Sequence, residues 1–163
     1  MAGTSIPAET RIGHVHLKVA DLDRAVGFYR DLLGFDLIVS MGTAAFLSAG
    51  GYHHHIGLNT WESRGGKPPP PGTTGLYHLA ILYPARAALA DALRRLIAAG
   101  IPLDGASDHG VSEALYLRDP DENGVELYWD RPEGAWPLTA DGELQMHTRK
   151  LDFDDLLKEP AAA

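Results

Sequence analysis

The feature that most constrains this chain of 163 residues is a pattern that runs through it twice. In RIGHVHLKV, His14, His16 and Lys18 alternate with Val15, Leu17 and Val19, which predicts a strand. ADLDRAVGFYRDLLGF follows: Asp21 or Asp23 can cap a helix, Ala25, Val26, Phe28, Tyr29, Leu32 and Leu33 recur at helical spacing, and Gly34 supplies a stop. Three short strands come next, FDLIVS, TAAFLSA and YHHHIGLNTW, set off by Met41-Gly42 and Gly50-Gly51. Residues 62–75, ESRGGKPPPPGTTG, form a linker whose prolines favour extended geometry. Then the order returns. GLYHLAILYP predicts a strand, ARAALADALRRLIAAG a helix stopped by Gly100, and IPLDGASDHG, VSEALYLRD and GVELYWDRP three strands. A repeat of this kind decides the fold class: α+β, two βαβββ modules at about residues 10–61 and 76–132, in one domain over residues 1–163 with a tail at 133–163. In that tail, Leu151, Phe153, Leu156 and Leu157 stand in a charged setting, which predicts a segment docked on the domain.

Composition narrows the classes of function. With 45% hydrophobic and 22% charged residues the chain is not disordered. Its net charge of −8 and the lack of any Lys or Arg run argue against nucleic acid and anionic membranes as partners. There is no Cys, so disulfides, thiolate nucleophiles and zinc–sulfur sites are excluded, and His, Asp and Glu remain as metal ligands. MAGTSIPAETR lacks a signal-peptide pattern and no apolar run reaches membrane-spanning length, so a cytoplasmic location is expected.

The chemistry concentrates in HGVSEALYLRDPDENGVELYW, two strands joined by a DPDENG turn. Glu126 lies between Val125 and Leu127. A carboxylate in such a strand either points to solvent or requires a cation or a hydrogen-bonding partner. His14 and His78 open the first strands of the two modules at matching places, and VELYW matches HIGLNTW. A single His in an apolar strand is ordinarily a hydrogen-bonded core residue; two at equivalent places in a repeat, with a carboxylate in the closing strand, point to a site.

The paired modules resemble those of the vicinal oxygen chelate superfamily, which includes glyoxalase, bleomycin-resistance proteins, fosfomycin-resistance enzymes and extradiol dioxygenases. The resemblance runs from about Arg11 to Pro132 and is most specific in GHVHLKVADLDRAVGFYRDLLGF, GLYHLAI and LYLRDPDENGVELYW. It implies a metal in the cupped sheet, held by His14, His78 and Glu126, with His16 an alternative to His14. Two imidazoles and a carboxylate leave open positions, which suits iron(II). In the glyoxalase branch a fourth ligand, a glutamate, comes from the last strand of the first module, where this chain has Gly57.

The resemblance is nearest to small extradiol, catechol-2,3-type dioxygenases. Their signature is met by His109, Leu115, Tyr116, Asp119, Pro120 and Glu126, with departures at Ser107 and at Glu122, where Gly or Pro is usual. Gly124 arrives two residues late, which leaves the strand register open. A further catalytic histidine is implied at His54, in His54-His55-Ile56-Gly57-Leu58. Strict alternation puts His53 and His55 on the face of Gly57, so His54 reaches the site only if its strand starts late or bulges. The implied activity is iron(II)-dependent cleavage of a small aromatic diol by dioxygen, in a homodimer, with His54, His109 and Tyr116 catalytic. Phe46, Trp61 and Trp129 are expected as apolar walls. Two alternatives stay open at this point: a lyase, isomerase or epimerase of the superfamily using Mn, Ni, Co or Zn, or a metal-free binding protein of the bleomycin-resistance type.

Overall fold

Alternation and helical spacing resolve where the repeat places them. The computed structural model describes residues 5–162, so the first four residues of the leader and Ala163 of the tail lie outside it. The first repeat forms β1 (Val15–Lys18), α1 (Leu22–Gly27), β2 (Asp36–Ser40), β3 (Ala44–Ser48) and β4 (Ile56–Asn59). The second forms β5 (Leu79–Leu82), α2 (Arg86–Ala98), β6 (Gly105–Asp108), β7 (Ser112–Arg118) and β8 (Gly124–Asp130). Two further elements follow, β9 (Arg149–Lys150) and α3 (Phe153–Leu156). The fold is α+β with two βαβββ modules. Sheet order is β1-β4-β3-β2 in the first and β5-β8-β7-β6-β9 in the second. In each module the opening strand runs parallel to the closing one, Val15 opposite Ile56 and Leu79 opposite Val125, and the other pairs are antiparallel. The chain divides into two compact units, Met1–Arg30 with Gly34–Gly66 and Asp31–Leu33 with Lys67–Ala163.

In the first unit, Asp21 caps α1 by accepting the Arg24 N–H at 3.0 Å, and Leu22, Ala25 and Val26 are buried. The helix is shorter than its periodicity predicts. It widens into a π-type turn at Phe28–Leu32, where the adjacent rings of Phe28 and Tyr29 are both buried and meet edge to face at 5.0 Å. The wider turn is what lets neighbouring residues both face inward. Ala44, Ala45, Leu47, Ile56 and Leu58 of β3 and β4 fill the core of this unit.

In the second unit Leu89, Ala90, Ala92, Leu93 and Leu96 of α2 are buried, together with Leu115, Leu117, Val125 and Leu127 from β7 and β8. The β7–β8 ladder is regular from Ser112 opposite Asp130 to Arg118 opposite Gly124, which settles the register that the late glycine left open. Asp119 makes this possible. Its Oδ1 accepts the N–H groups of Asp121 and Asn123, each at 2.9 Å, and its Oδ2 accepts the Asn123 side-chain amide at 2.9 Å. Glu122 pays in backbone strain, with φ +64. Gly124 is required for another reason: a Cβ there would lie 2.1 Å from the Tyr77 carbonyl oxygen. That close approach brings the chain at Tyr77 and His78 over the start of β8.

The charge the sequence reading missed is Glu113. It is 3% exposed, more deeply buried than Glu126, and sits between two guanidinium groups, Arg86 at 2.8 Å and Arg131 at 2.7 Å. Arg86 also pairs with Asp155 and Glu159, each at 2.9 Å, so one network ties β7, α2 and the tail together. The tail is docked as its apolar spacing predicts, with Leu151 and Leu156 buried.

Candidate active site

In the second unit a row of directly opposed residues crosses three strands: Ala80 on β5, Glu126 on β8 and Tyr116 on β7. Opposed residues share a face, so the side chain of Glu126 meets Tyr116. The Tyr116 hydroxyl donates to Glu126 Oε1 at 3.0 Å. His78, just ahead of β5, places Nε2 3.0 Å from Glu126 Oε2. On the far side His109 Nε2 is 2.8 Å from the Tyr116 hydroxyl. Four residues chosen from the sequence therefore form one chain, His78, Glu126, Tyr116 and His109. Glu126 is neither a solvent-facing residue nor an unpaired buried one: its side chain is 14% exposed and both oxygens are engaged. Burial, and then the neighbouring Glu126 carboxylate, push the Tyr116 phenol up, so it keeps its proton and acts as a donor. Beside the chain opens a cleft of about 340 Å³ lined in part by Tyr77, His78, Asp104, Tyr116 and Arg118.

In the first unit β4 begins only at Ile56, so His53, His54 and His55 precede the strand and escape its alternation. His55 turns to Ser48, its Nδ1 3.1 Å from the hydroxyl. His54 turns instead towards His14, ring centroids 4.4 Å apart, and packs edge to face on Phe46 at 4.9 Å. The late start is thus the one of the two conditions that holds. Burial, then the neighbouring His14, His53, His16 and His55, lower the pKa of His54 and favour its neutral ring. His16 stands between Phe46 at 5.8 Å and Trp61 at 5.7 Å. Trp129 is the expectation that fails: on β8 it alternates with Glu126 and so lies on the opposite face, opposed to Glu113.

The sequence model of the Glyoxalase/Bleomycin resistance protein/Dioxygenase superfamily matches residues 11–127. The chain belongs to that superfamily. It is similar to the catechol-2,3-dioxygenase of Bacillus subtilis (strain 168), 42% identical over 156 residues that cover 96% of this chain and 54% of that protein. It is also similar to biphenyl-2,3-diol 1,2-dioxygenase 3 of Rhodococcus globerulus, 33% identical over 120 residues, 74% of this chain and 63% of that one. The chain therefore spans about half the length of the first of these relatives and under two thirds of the second. Among solved structures, lactoylglutathione lyase from Agrobacterium tumefaciens superposes with a TM-score of 0.59 at 26% identity, covering 76% of this chain and 96% of that chain.

Members of this superfamily that carry out dioxygenase or lyase chemistry imply a divalent metal, and the donor set at Glu126 fits one. A carboxylate and an imidazole already share hydrogen-bonding distance, and both are ligands of the type such metals take. The repeat locates the corresponding places in the first unit. Because Val15 opposes Ile56 as Leu79 opposes Val125, His14 corresponds to His78 and Gly57 to Glu126. Gly57 has no side chain to offer where the second module has Glu126, and the space is used: a Cβ there would lie 2.9 Å from the ring of His16. Among the described residues no group of three His, Asp or Glu side chains gathers around one point; His78 and Glu126 pair in one unit and His14 belongs to the other. The sequence reading missed the packing of His16 on Gly57, which only the parallel register of β1 and β4 reveals.

Proposed function

We propose that the chain is an extradiol ring-cleavage dioxygenase that uses iron(II) to open a catecholic ring with dioxygen. The observation that carries this reading is the hydrogen-bonded chain from His78 through Glu126 and Tyr116 to His109. The names of the Bacillus and Rhodococcus relatives support it. His78 and Glu126 would hold the metal, with His14 proposed as third ligand by its equivalence to His78. When bound, the metal would gather the two vicinal oxygens of the substrate and dioxygen and lower the pKa of a substrate hydroxyl.

The residues around it have separate tasks. Tyr116, kept protonated, donates a hydrogen bond: to Glu126 while the cleft is empty, and to a substrate oxygen when one displaces that contact. His109 Nε2, 2.8 Å behind the phenol, takes or returns the proton that leaves a substrate hydroxyl. His54, held neutral beside His14 and Phe46, supplies an acid–base group on the oxygen side of the reaction. The cleft next to Tyr116 is of a size for a small aromatic ring. The lost ligand at Gly57 favours this reading over a four-ligand lyase, because the place is covered by His16. We further infer a homodimer, to be read by light scattering at micromolar concentration.

The test is oxygen uptake by protein loaded anaerobically with iron(II), against a panel of simple and alkyl-substituted catechols, with formation of a yellow ring-opened product. Uptake with at least one catechol is expected. No uptake from iron-loaded protein with any of them, or equal activity with Mn, Ni, Co or Zn in a reaction that uses no oxygen, would put the chain among the lyases and isomerases.

A further inference from the structure

An apolar cavity of about 150 Å³ already holds a benzene ring, and the cleft beside Tyr116 offers about 340 Å³. The surplus has a direction. The lining runs from His78 and Tyr116 to Asp104 and Arg118, and includes neither Glu126 nor His109. Tyr116 and Arg118 are two residues apart on β7 and share a face, so their positions lie about 7 Å apart along the strand. That is about the reach from a ring hydroxyl to a group para to it.

Two glycines leave this end of the cleft open. Gly105 of β6 stands opposite Tyr116, and Gly124 of β8 stands opposite Arg118. Gly124 is required by the close approach of Tyr77, but Gly105 is required by neither packing nor backbone. A Cβ on it would meet no heavy atom within 4 Å, and its φ is not left-handed. What its missing side chain does is keep the floor clear beside the phenol.

We infer that the ring substituent of the substrate lies over Gly105, and that the Asp104–Arg118 pair at the end of the cleft selects an uncharged group there, an alkyl chain over a carboxylate. An arginine alone at this place would be a carboxylate receptor. Arg118 is already engaged: its Nε donates to Asp104 Oδ2 at 2.6 Å and its Nη1 to the Glu122 carbonyl oxygen at 3.2 Å. Asp104 is in turn held in place, its N–H donating to the Tyr116 carbonyl oxygen at 2.8 Å. The charges of both Asp104 and Glu122 act on the one guanidinium. A carboxylate entering the cleft would have to displace Asp104 or lie beside it, like charge against like. An alkyl group meets no such cost and has the Tyr77 ring and the methylene stem of Arg118 to lie against. Asp104 and Arg118 are both about half-exposed, so the discrimination is screened and of modest size.

The inference rests on the dioxygenase reading for the placement of the two ring hydroxyls, and its test separates the two. Iron-loaded full-length protein is titrated anaerobically by calorimetry with catechol, with a catechol carrying an ethyl group para to one hydroxyl, and with the matching carboxylate. Oxygen uptake is then measured with the same three. The ethyl compound should bind at least as tightly as catechol, and the carboxylate weaker by roughly fivefold. Gly105→Leu should weaken the ethyl compound relative to catechol by roughly 10-fold. Asp104→Asn should raise the carboxylate relative to catechol by roughly fivefold, and adding Arg118→Gln should remove that gain. A wild-type protein that binds the carboxylate as well as the ethyl compound, or that binds none of the three, would overturn the inference. So would unchanged preferences in folded Gly105→Leu or in Asp104→Asn. If Gly105→Leu does not fold, the two charge variants decide it. Preferences that shift as expected in protein that consumes no oxygen would support the cleft's role and count against the dioxygenase. Oxygen uptake with the carboxylate preferred would overturn the selection and leave the dioxygenase standing.

Discussion

At the scale of single residues, Tyr116 is the most exposed to test, because its hydroxyl bridges a carboxylate and an imidazole. Tyr116→Phe keeps the ring and removes that bridge. Iron content should stay at the wild-type level while turnover of catechols drops by roughly 10- to 100-fold, as measured by metal analysis and oxygen uptake on the same sample. Loss of the iron along with the activity would mean that the phenol serves to hold Glu126 in place and takes no part in the reaction. The contact between His78 and Glu126 was foreshadowed by the repeat, and that between His109 and Tyr116 by a signature. Glu113 was not. A charged residue alternating with apolar ones in a strand reads as a solvent-facing position, and only the arrival of Arg86 and Arg131 from distant parts of the chain allows it to be buried.

At the scale of elements, the β7–β8 turn carries strain that a substitution can release. Glu122 has a left-handed backbone and a carbonyl that accepts from Arg118 at 3.2 Å, a contact that Gly can also make. Glu122→Gly should raise stability by about 1 kcal/mol with metal content unchanged, as read by denaturant unfolding. A destabilised variant would show that the turn depends on the glutamate side chain. The tail makes a pH-dependent prediction. The Asp155 carboxyl is held below its ordinary value by its hydrogen bond to Arg86; at Asp108 burial works the other way but is outweighed by the Gly110 N–H and by Arg131. A depressed carboxylate contributes its stability above the unfolded pKa and loses it as the pH falls through the folded one. Docking should therefore be constant from neutral pH down to about pH 4 and weaken below it, seen as loss of dispersed NMR signals for residues 151–159 ahead of those of β7 and β8. Signals of the tail that collapse already at mildly acidic pH would contradict this. The strands and α2 were legible as alternation and helical spacing. The late start of β4 was not, since it depends on His55 turning to Ser48, nor was β9, whose two residues are too few to show a period.

At the scale of the whole molecule, the repeat told more than any motif. It gave the two βαβββ modules, and the observed registers turn that likeness into residue-by-residue equivalence, His14 with His78 and Gly57 with Glu126. The second module keeps a carboxylate where the first has a glycine covered by His16, so the metal chemistry is expected to depend chiefly on His78 and Glu126. Replacing either with Ala should remove most bound iron and leave the fold intact, as followed by dialysis and circular dichroism. Full iron stoichiometry in both variants would disprove the assignment. Among the described residues no helix is long and apolar enough to cross a membrane. The central claim is that both atoms of one dioxygen molecule enter a ring opened beside its two hydroxyl groups, and it is tested most directly by mass spectrometry of the product that iron-loaded protein forms from a catechol under isotopically labelled dioxygen. The account predicts a ring-opened product carrying both labelled atoms; an unlabelled or isomerised product, or labelled dioxygen left unconsumed, would contradict it.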